Sequence, residues 1–225
     1  MIEFQHVAKR YPGDYDALKN ATFRIERGEL VLITGHSGAG KSTLLKIISL
    51  IERPTRGQAK VNGKNLAKLA TWRVPYFRRE LGIVFQNFKL LFDRSVYDNV
   101  ALPLVVTGLD PREIGKRVRA ALDKVGLLYK ERLNPVVLSA GEQQRVGIAR
   151  AIVHRPTLIL ADEPTGNLDR ALAEEILDLF RDFHHHGATV LIATHDQHLI
   201  RRAASRVLAL AHGEITHDSA ALPSA

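Results

Sequence analysis

Gly35-His36-Ser37-Gly38-Ala39-Gly40-Lys41-Ser42 closes the apolar run Leu30-Val31-Leu32-Ile33 and opens a helix-like stretch, Ser42 to Leu50. The octet fits Gly-x-x-x-x-Gly-Lys-Ser, a loop whose backbone N–H groups wrap phosphate oxygens. Glycines at 35, 38 and 40 permit tight turns and let the backbone approach anionic oxygen closely. A helix starting near Lys41 aims the positive end of its dipole at the same place. Lys41 then supplies a point charge for β- and γ-phosphates, and Ser42 a hydroxyl for Mg²⁺. A chance glycine-rich turn would lack both the strand before and the helix after. Their presence points to an α/β fold.

Three more apolar runs read as buried parallel strands: Leu81-Gly82-Ile83-Val84-Phe85, Leu158-Ile159-Leu160-Ala161 and Val190-Leu191-Ile192-Ala193. Each of the four runs is followed by a polar residue or glycine of unusual chemistry: Gly35, Gln86, Asp162 with Glu163, and His195. Open α/β sheets bind ligands at the carboxyl ends of their strands, so these residues are expected to converge on one crevice. Asp162 is placed to hold Mg²⁺, and Glu163 to orient an attacking water or take its proton. The plainer reading of this pair is an acidic turn capping the next helix. His195, beside a γ-phosphate, can donate a hydrogen bond as charge develops; alone, a strand-end histidine is more often structural. His184-His185-His186 point about 100° apart on a helix and cannot cage one metal ion; they suit a last turn before Gly187.

From about residue 87 to 153 the chain reads as mostly helical. Asp110-Pro111 is a helix start, Ile114, Val118, Ala121, Leu122 and Val125 follow at helical spacing, and Gly126 suits the stop. The opening Ile2-Glu3-Phe4-Gln5-His6-Val7 alternates like a half-buried strand. The expected organisation is one domain: an α/β lobe of residues 1–86 and 154–215, a helical insertion of 87–153, and a flexible tail of 216–225. Weak structure is expected from about Gly213 onward.

At 225 residues, 45% hydrophobic and 25% charged, the chain has the composition of an ordinary soluble protein with a substantial core. It has no run of 18 apolar residues, no basic-then-apolar start and no cysteine, which together read as cytoplasmic. A net charge of +8 fits a solvated basic surface, an anionic membrane face or nucleic acid, and charge alone does not choose among them.

Ser139-x-x-Glu142 is a capping box, and by itself means a well-capped helix running through Ile152. Beside the phosphate loop and Asp162-Glu163, however, Leu138-Ser139-Ala140-Gly141-Glu142-Gln143-Gln144-Arg145 resembles the signature of ABC-type ATPases. The resemblance runs along nearly the whole chain in the family's order. It implies a P-loop NTPase of ABC ATPase type, with a mostly parallel core sheet, an antiparallel β edge and a helical insertion subdomain. It implies an ATPase using ATP and Mg²⁺. Tyr11 would stack on adenine, and Gly35, His36, Ser37, Gly38, Ala39, Gly40, Lys41, Ser42 and Thr43 would bind the phosphates. Ser42, Gln86 and Asp162 would hold the metal, with Glu163, His195 and Gln86 catalytic. Asn167-Leu168-Asp169 matches the D-loop.

The family also implies a homodimer formed on ATP binding, head to tail, so that Ser139, Gly141 and Glu142 of one copy face the phosphate held by Lys41 of the other. Where the family usually has glycine and often glutamine, this chain has Ala140 and Glu142. The Ala140 methyl would disfavour φ > 0 and is expected to hinder close approach, slowing turnover.

Gly35-His36-Ser37-Gly38-Ala39-Gly40, Asp93-Arg94-Ser95-Val96-Tyr97-Asp98-Asn99-Val100, Leu122 to Leu128 and Ala161 to Asp169 resemble the branch of the family that serves bacterial cell division. That branch implies an integral membrane partner, contact with a cytoplasmic division-ring protein, and a peripheral place on the inner membrane face. Branches for lipoprotein release or macrolide export share much of the rest. A nucleotide-dependent scaffold and a DNA-associated ATPase are further alternatives, although nucleic acid is not an expected partner. Phe88, Leu90, Leu91 and Phe92 are too apolar for a solvated loop; they line a groove for a partner helix or pack into the chain's own helices.

Overall fold

The computed structural model describes residues 1–166 and 168–220. Its centre is a six-stranded sheet in the order β10-β9-β3-β8-β7-β6. These strands are β3 (Leu30–Thr34), β6 (Leu81–Val84), β7 (Leu158–Asp162), β8 (Thr189–Ala193), β9 (Arg206–Ala211) and β10 (Glu214–Asp218). β6, β7, β8, β3 and β9 pair in parallel, and only β10 is antiparallel. All five residues of β8 and the first four of β3 and of β7 are buried, as strands covered on both faces must be.

One face of this sheet packs with α1 (Lys41–Ile48) and the four-stranded antiparallel sheet β2-β1-β4-β5. That second sheet comprises β1 (Ile2–Tyr11), β2 (Tyr15–Ile25), β4 (Arg56–Val61) and β5 (Lys64–Asn65). The short helix α2 (Val74–Arg78) follows it. The other face carries α3 (Val96–Val106), α4 (Pro111–Lys124), α5 (Ala140–Ile152) and α6 (Arg170–His185), with α7 (Gln197–Ala203) beside them. Burying a side chain such as Phe180 or Leu122 fully in that layer contributes roughly 1.5–3 kcal/mol.

The helix α4 starts as its sequence predicts, with Asp110 accepting from Arg112 N at 2.9 Å and Pro111 in the first position. Gly126, at φ 70°, ends it. The triple histidine closes α6. His184 Nε2 lies 2.9 Å from Gly28 O and His186 Nδ1 2.6 Å from Asp182 O, so the rings diverge.

The expected weak structure after Gly213 is corrected: Glu214–Asp218 form β10, paired with β9. An Arg206 guanidinium clamps this edge, donating to both Asp218 oxygens at 2.9 and 2.7 Å and to Glu29 at 2.7 Å. The last part of the expected tail, 221–225, and Asn167 lie outside the described residues.

Candidate active site

The phosphate-loop octet leaves β3 through Gly35 at φ 146°, where a Cβ would stand 2.2 Å from Leu210 O. No side chain fits there, because β9 passes directly behind the loop. The loop ends at Gly40, the N-cap of α1, which offers no side chain to the helix's first N–H groups. The helices α3 to α7 are each capped by a side chain: Ser95, Asp110, Ser139, Asp169 and Asp196. Helix α1 thus keeps its N-terminal donors and its positive dipole end for an external anion.

Lys41 is almost buried, at 6% exposure. Its ammonium donates to Gly35 O at 2.8 Å and His36 O at 3.2 Å, and lies 3.4 Å from Glu163 Oε1. Ala39 is buried, with Ala39 N donating to His36 O and Gly213 N donating to Ala39 O. His36, Ser37 and Gly38 are exposed, and Thr43 is half-buried in the first turn of α1.

Asp162 and Glu163 stand at the end of β7, beside β3's neighbour β8. Ser42 Oγ donates to Asp162 Oδ1 at 3.0 Å. Burial pushes the Asp162 carboxyl above the usual range, against the Ser42 hydrogen bond, while Glu163 next to it adds to the rise. Glu163 takes φ 47°, a left-handed backbone that costs of order 1–3 kcal/mol in a non-glycine residue. Its own N–H, donating to Ala193 O at 2.9 Å, ties it to the end of β8. Two residues on, His195 Nδ1 meets Glu163 Oε2 at 2.7 Å. A carboxylate held between a lysine and a histidine can accept a proton and be reoriented little while doing so.

The other predicted residues fall around this centre. Gln86 is exposed just beyond β6, and its amide lies 3.9 Å from where a Cβ on Gly166 would stand. Tyr11 ends β1, with the Lys9 ammonium 4.9 Å over its ring. Asp169 caps α6 by accepting from Leu172 N at 3.0 Å.

Ser139, Gly141 and Glu142 sit apart, at the start of α5. Among the described residues, Ser139 and Glu142 bond only within this end of the helical layer. The capping box is complete: Glu142 N donates to Ser139 Oγ at 3.3 Å, and Ser139 N to Glu142 Oε2 at 3.0 Å. Lys130 donates to Glu142 Oε1 at 2.5 Å, and with the Ser139 backbone bond holds that carboxyl below its usual range.

The expected φ penalty at Ala140 is corrected. Ala140 is the first residue of α5, with negative φ and an exposed methyl. The crowded position is Gly141, where a Cβ would lie 2.0 Å from Leu172 Cδ2 of α6, so that the Leu172 side chain would have to move aside.

Two contributors were not legible as site residues. Tyr15, opposite Tyr11 in the β1–β2 hairpin, sends its hydroxyl to Gly38 O at 3.3 Å and so pins the phosphate loop. Lys130 fixes Glu142. An aromatic at each end of a short hairpin was the available signal for Tyr15; Lys130 offered none.

A strand that turns through glycine into an uncapped helix, with an acid pair on the strand two places away, defines a phosphate-loop nucleotide hydrolase. The comparisons narrow that class. A family described as ABC transporter matches residues 18–166. "Cell division ATP-binding protein FtsE" of Escherichia coli K12 is 54% identical, over 97% of this chain and 100% of its own length. The protein of the same name from Bacillus subtilis 168 is 45% identical, over 97% and 96%. The solved dimer of MJ0796, described as a bacterial ABC transporter cassette, aligns with TM-score 0.90 at 36% identity, covering 97% of this chain and 98% of that one. A post-hydrolysis form of MJ0796 bound to ADP and Pi aligns equally well, with TM-score 0.90. The chain belongs to the ABC transporter family and is its ATP-binding cassette, an ATPase.

Proposed function

We propose that this chain is the ATP-hydrolysing subunit of a membrane complex in bacterial cell division, with two copies closing on ATP to drive an integral membrane protein of the FtsX type. The observation that carries the catalytic part is the line of contacts Lys41–Glu163–His195 at the uncapped end of α1. In favour of the division branch is near-full-length likeness to proteins named FtsE.

In this reading ATP lies with adenine against Tyr11 and its phosphates in the loop from Gly35 to Thr43. Lys41 and the free N–H groups of α1 hold the terminal phosphates. A water oxygen attacks the γ-phosphorus as Glu163 takes its proton, and the bond to the bridging oxygen breaks, leaving ADP. His195 holds Glu163 through Nδ1 and keeps Nε2 for a phosphate oxygen. Gln86, just past the carboxyl end of the neighbouring strand β6, orients the water.

Mg²⁺ suits the donors here: a hydroxyl and a partly desolvated carboxylate are hard oxygen ligands. Among the described residues no three His, Cys, Asp or Glu side chains converge as a metal cage, so Ser42, Asp162 and Gln86 would share the ion with water and phosphate oxygens. Bound there, the ion would supply positive charge against the phosphate oxygens.

Ser139, Gly141, Glu142 and Asp169 complete the pocket of a second copy, the start of α5 offering the N–H groups its capping box leaves free and a positive dipole end. Loss of the γ-phosphate removes that bridge, and the pair opens because ATP binds the closed state better.

Among the described residues no helix is long and apolar enough to cross a membrane; a peripheral place on the inner face belongs to this reading. Leu91 and Phe92 are exposed while Leu90 is buried and Phe88 packs on the core, so this loop divides between the two uses its sequence allowed. The exposed pair favours a cytoplasmic helix of the partner as occupant. Contact with a cytoplasmic division-ring protein belongs to the same reading. Affinity isolation from native membranes in ATP tests it: an FtsX-type integral protein is expected. Recovery of a lipoprotein-release or export-type membrane protein instead would overturn the division assignment.

A further inference from the structure

On the face formed by the carboxyl end of α1, away from the phosphate loop, the chain exposes an aromatic and basic patch. Residues 64–79 carry Lys64, Lys68, Arg73, Arg78 and Arg79 with no carboxylate among them. The segment turns through Thr71–Arg73 into α2. Phe77 points inward and is buried, while Trp72 and Tyr76 stand outward at 66% and 59% exposure. Their rings meet edge to face, with centroids 6.5 Å apart. The Arg73 guanidinium lies 4.8 Å over Trp72 and the Arg79 guanidinium 5.0 Å over Tyr76.

The base of the patch is fixed. Arg78 donates to Leu50 O at 2.7 Å and Ser49 O at 3.4 Å, the two carbonyls just past the end of α1. Lys64 is neutralised by Glu80, so it does not add to the outward charge. Among the described residues Lys68, Arg73 and Arg79 have no carboxylate within ion-pair distance, and Ile51, also exposed, adjoins the Arg78 anchor.

We propose that this patch docks directly on an anionic lipid surface, without any protein intermediary. Trp and Tyr favour the boundary between headgroups and acyl chains, where one end of the ring is wet and the other apolar. Uncompensated arginine and lysine beside them match anionic headgroups. Single-stranded nucleic acid also uses aromatic and basic residues, but it needs ring faces that accept successive stacked bases. Two rings at 81° to each other, each with a face under a guanidinium, offer no such platform. The patch shares no residue with the proposed partner groove or with the nucleotide site, and this inference goes beyond the function proposed above.

Trp72 is the chain's only tryptophan, so its fluorescence reports on the patch alone. The purified full chain, with no membrane partner, is titrated with vesicles of phosphatidylcholine or of phosphatidylcholine mixed with phosphatidylglycerol. With the anionic vesicles, Trp72 emission is expected to shift to the blue and be quenched by brominated acyl chains; neutral vesicles leave it unchanged. The double variant Arg73→Gln/Arg79→Gln is expected to bind the anionic vesicles about thirtyfold more weakly at low salt. Its ATP turnover stays at the wild-type level, which also verifies the fold. No shift with anionic vesicles, an equal shift with neutral ones, undiminished binding by the variant, or a response to single-stranded nucleic acid in place of vesicles overturns the proposal. Loss of turnover in the wild-type protein would instead strike at the catalytic reading and leave this one standing.

Discussion

Glu163→Gln is expected to lower ATP turnover by about two to four orders of magnitude while nucleotide binding persists. The amide keeps the size of the carboxylate and can still meet His195, now 2.7 Å from Oε2, so the site's shape survives. What is lost is the capacity to take a proton from the attacking water. The neighbouring carboxylate does not replace it, because Asp162 is engaged by the Ser42 hydroxyl. With ATP bound but uncleaved, the closed pair has no route to open, and the variant should elute as an ATP-dependent dimer on size exclusion. Turnover within tenfold of wild type would remove Glu163 from the role of base. A pure scaffold would show no difference between variant and wild type.

Lys41→Ala is expected to weaken nucleotide binding by about 2–5 kcal/mol, the cost of removing one partner from a desolvated charge pair. The ammonium is held against two loop carbonyls and almost shielded from water, so its attraction to phosphate is little screened. Titration calorimetry measures this directly; affinity equal to wild type would refute the placement of phosphate in the loop.

How much of this was legible beforehand follows from burial. Strands β3, β6, β7 and β8 are readable as apolar runs because the sheet is covered on both faces, and their polar exit residues stand at one end. The edge strand β10, Glu214-Ile215-Thr216-His217-Asp218, has no such run. Its pairing is secured by Arg206, 12 residues from Asp218 in sequence, which no local pattern reports.

The functional residues were readable as types and as lining one crevice, but not as bonded pairs. His195 and Glu163 lie 32 residues apart and meet only because β7 and β8 are neighbours in register, Asp162 opposite Ala193. Ala140 is the instructive error. Counting it as a misfit assumed that the middle of the signature needs glycine's backbone freedom. The chain there is ordinary helix, and the crowding falls one residue later, where a methyl on Gly141 would displace the Leu172 side chain. Ala140 therefore gives no backbone reason for slow turnover.

The central claim is that each ATP is enclosed by two copies, Lys41 from one and Ser139 from the other. Mixing Lys41→Ala with Ser139→Ala subunits, each nearly inactive alone, tests it most directly. A mixed pair contains one site with both residues intact, so steady-state turnover should return, up to about a quarter of wild type at random equal mixing. If mixed dimers demonstrably form and no turnover returns at any ratio, the shared site is contradicted.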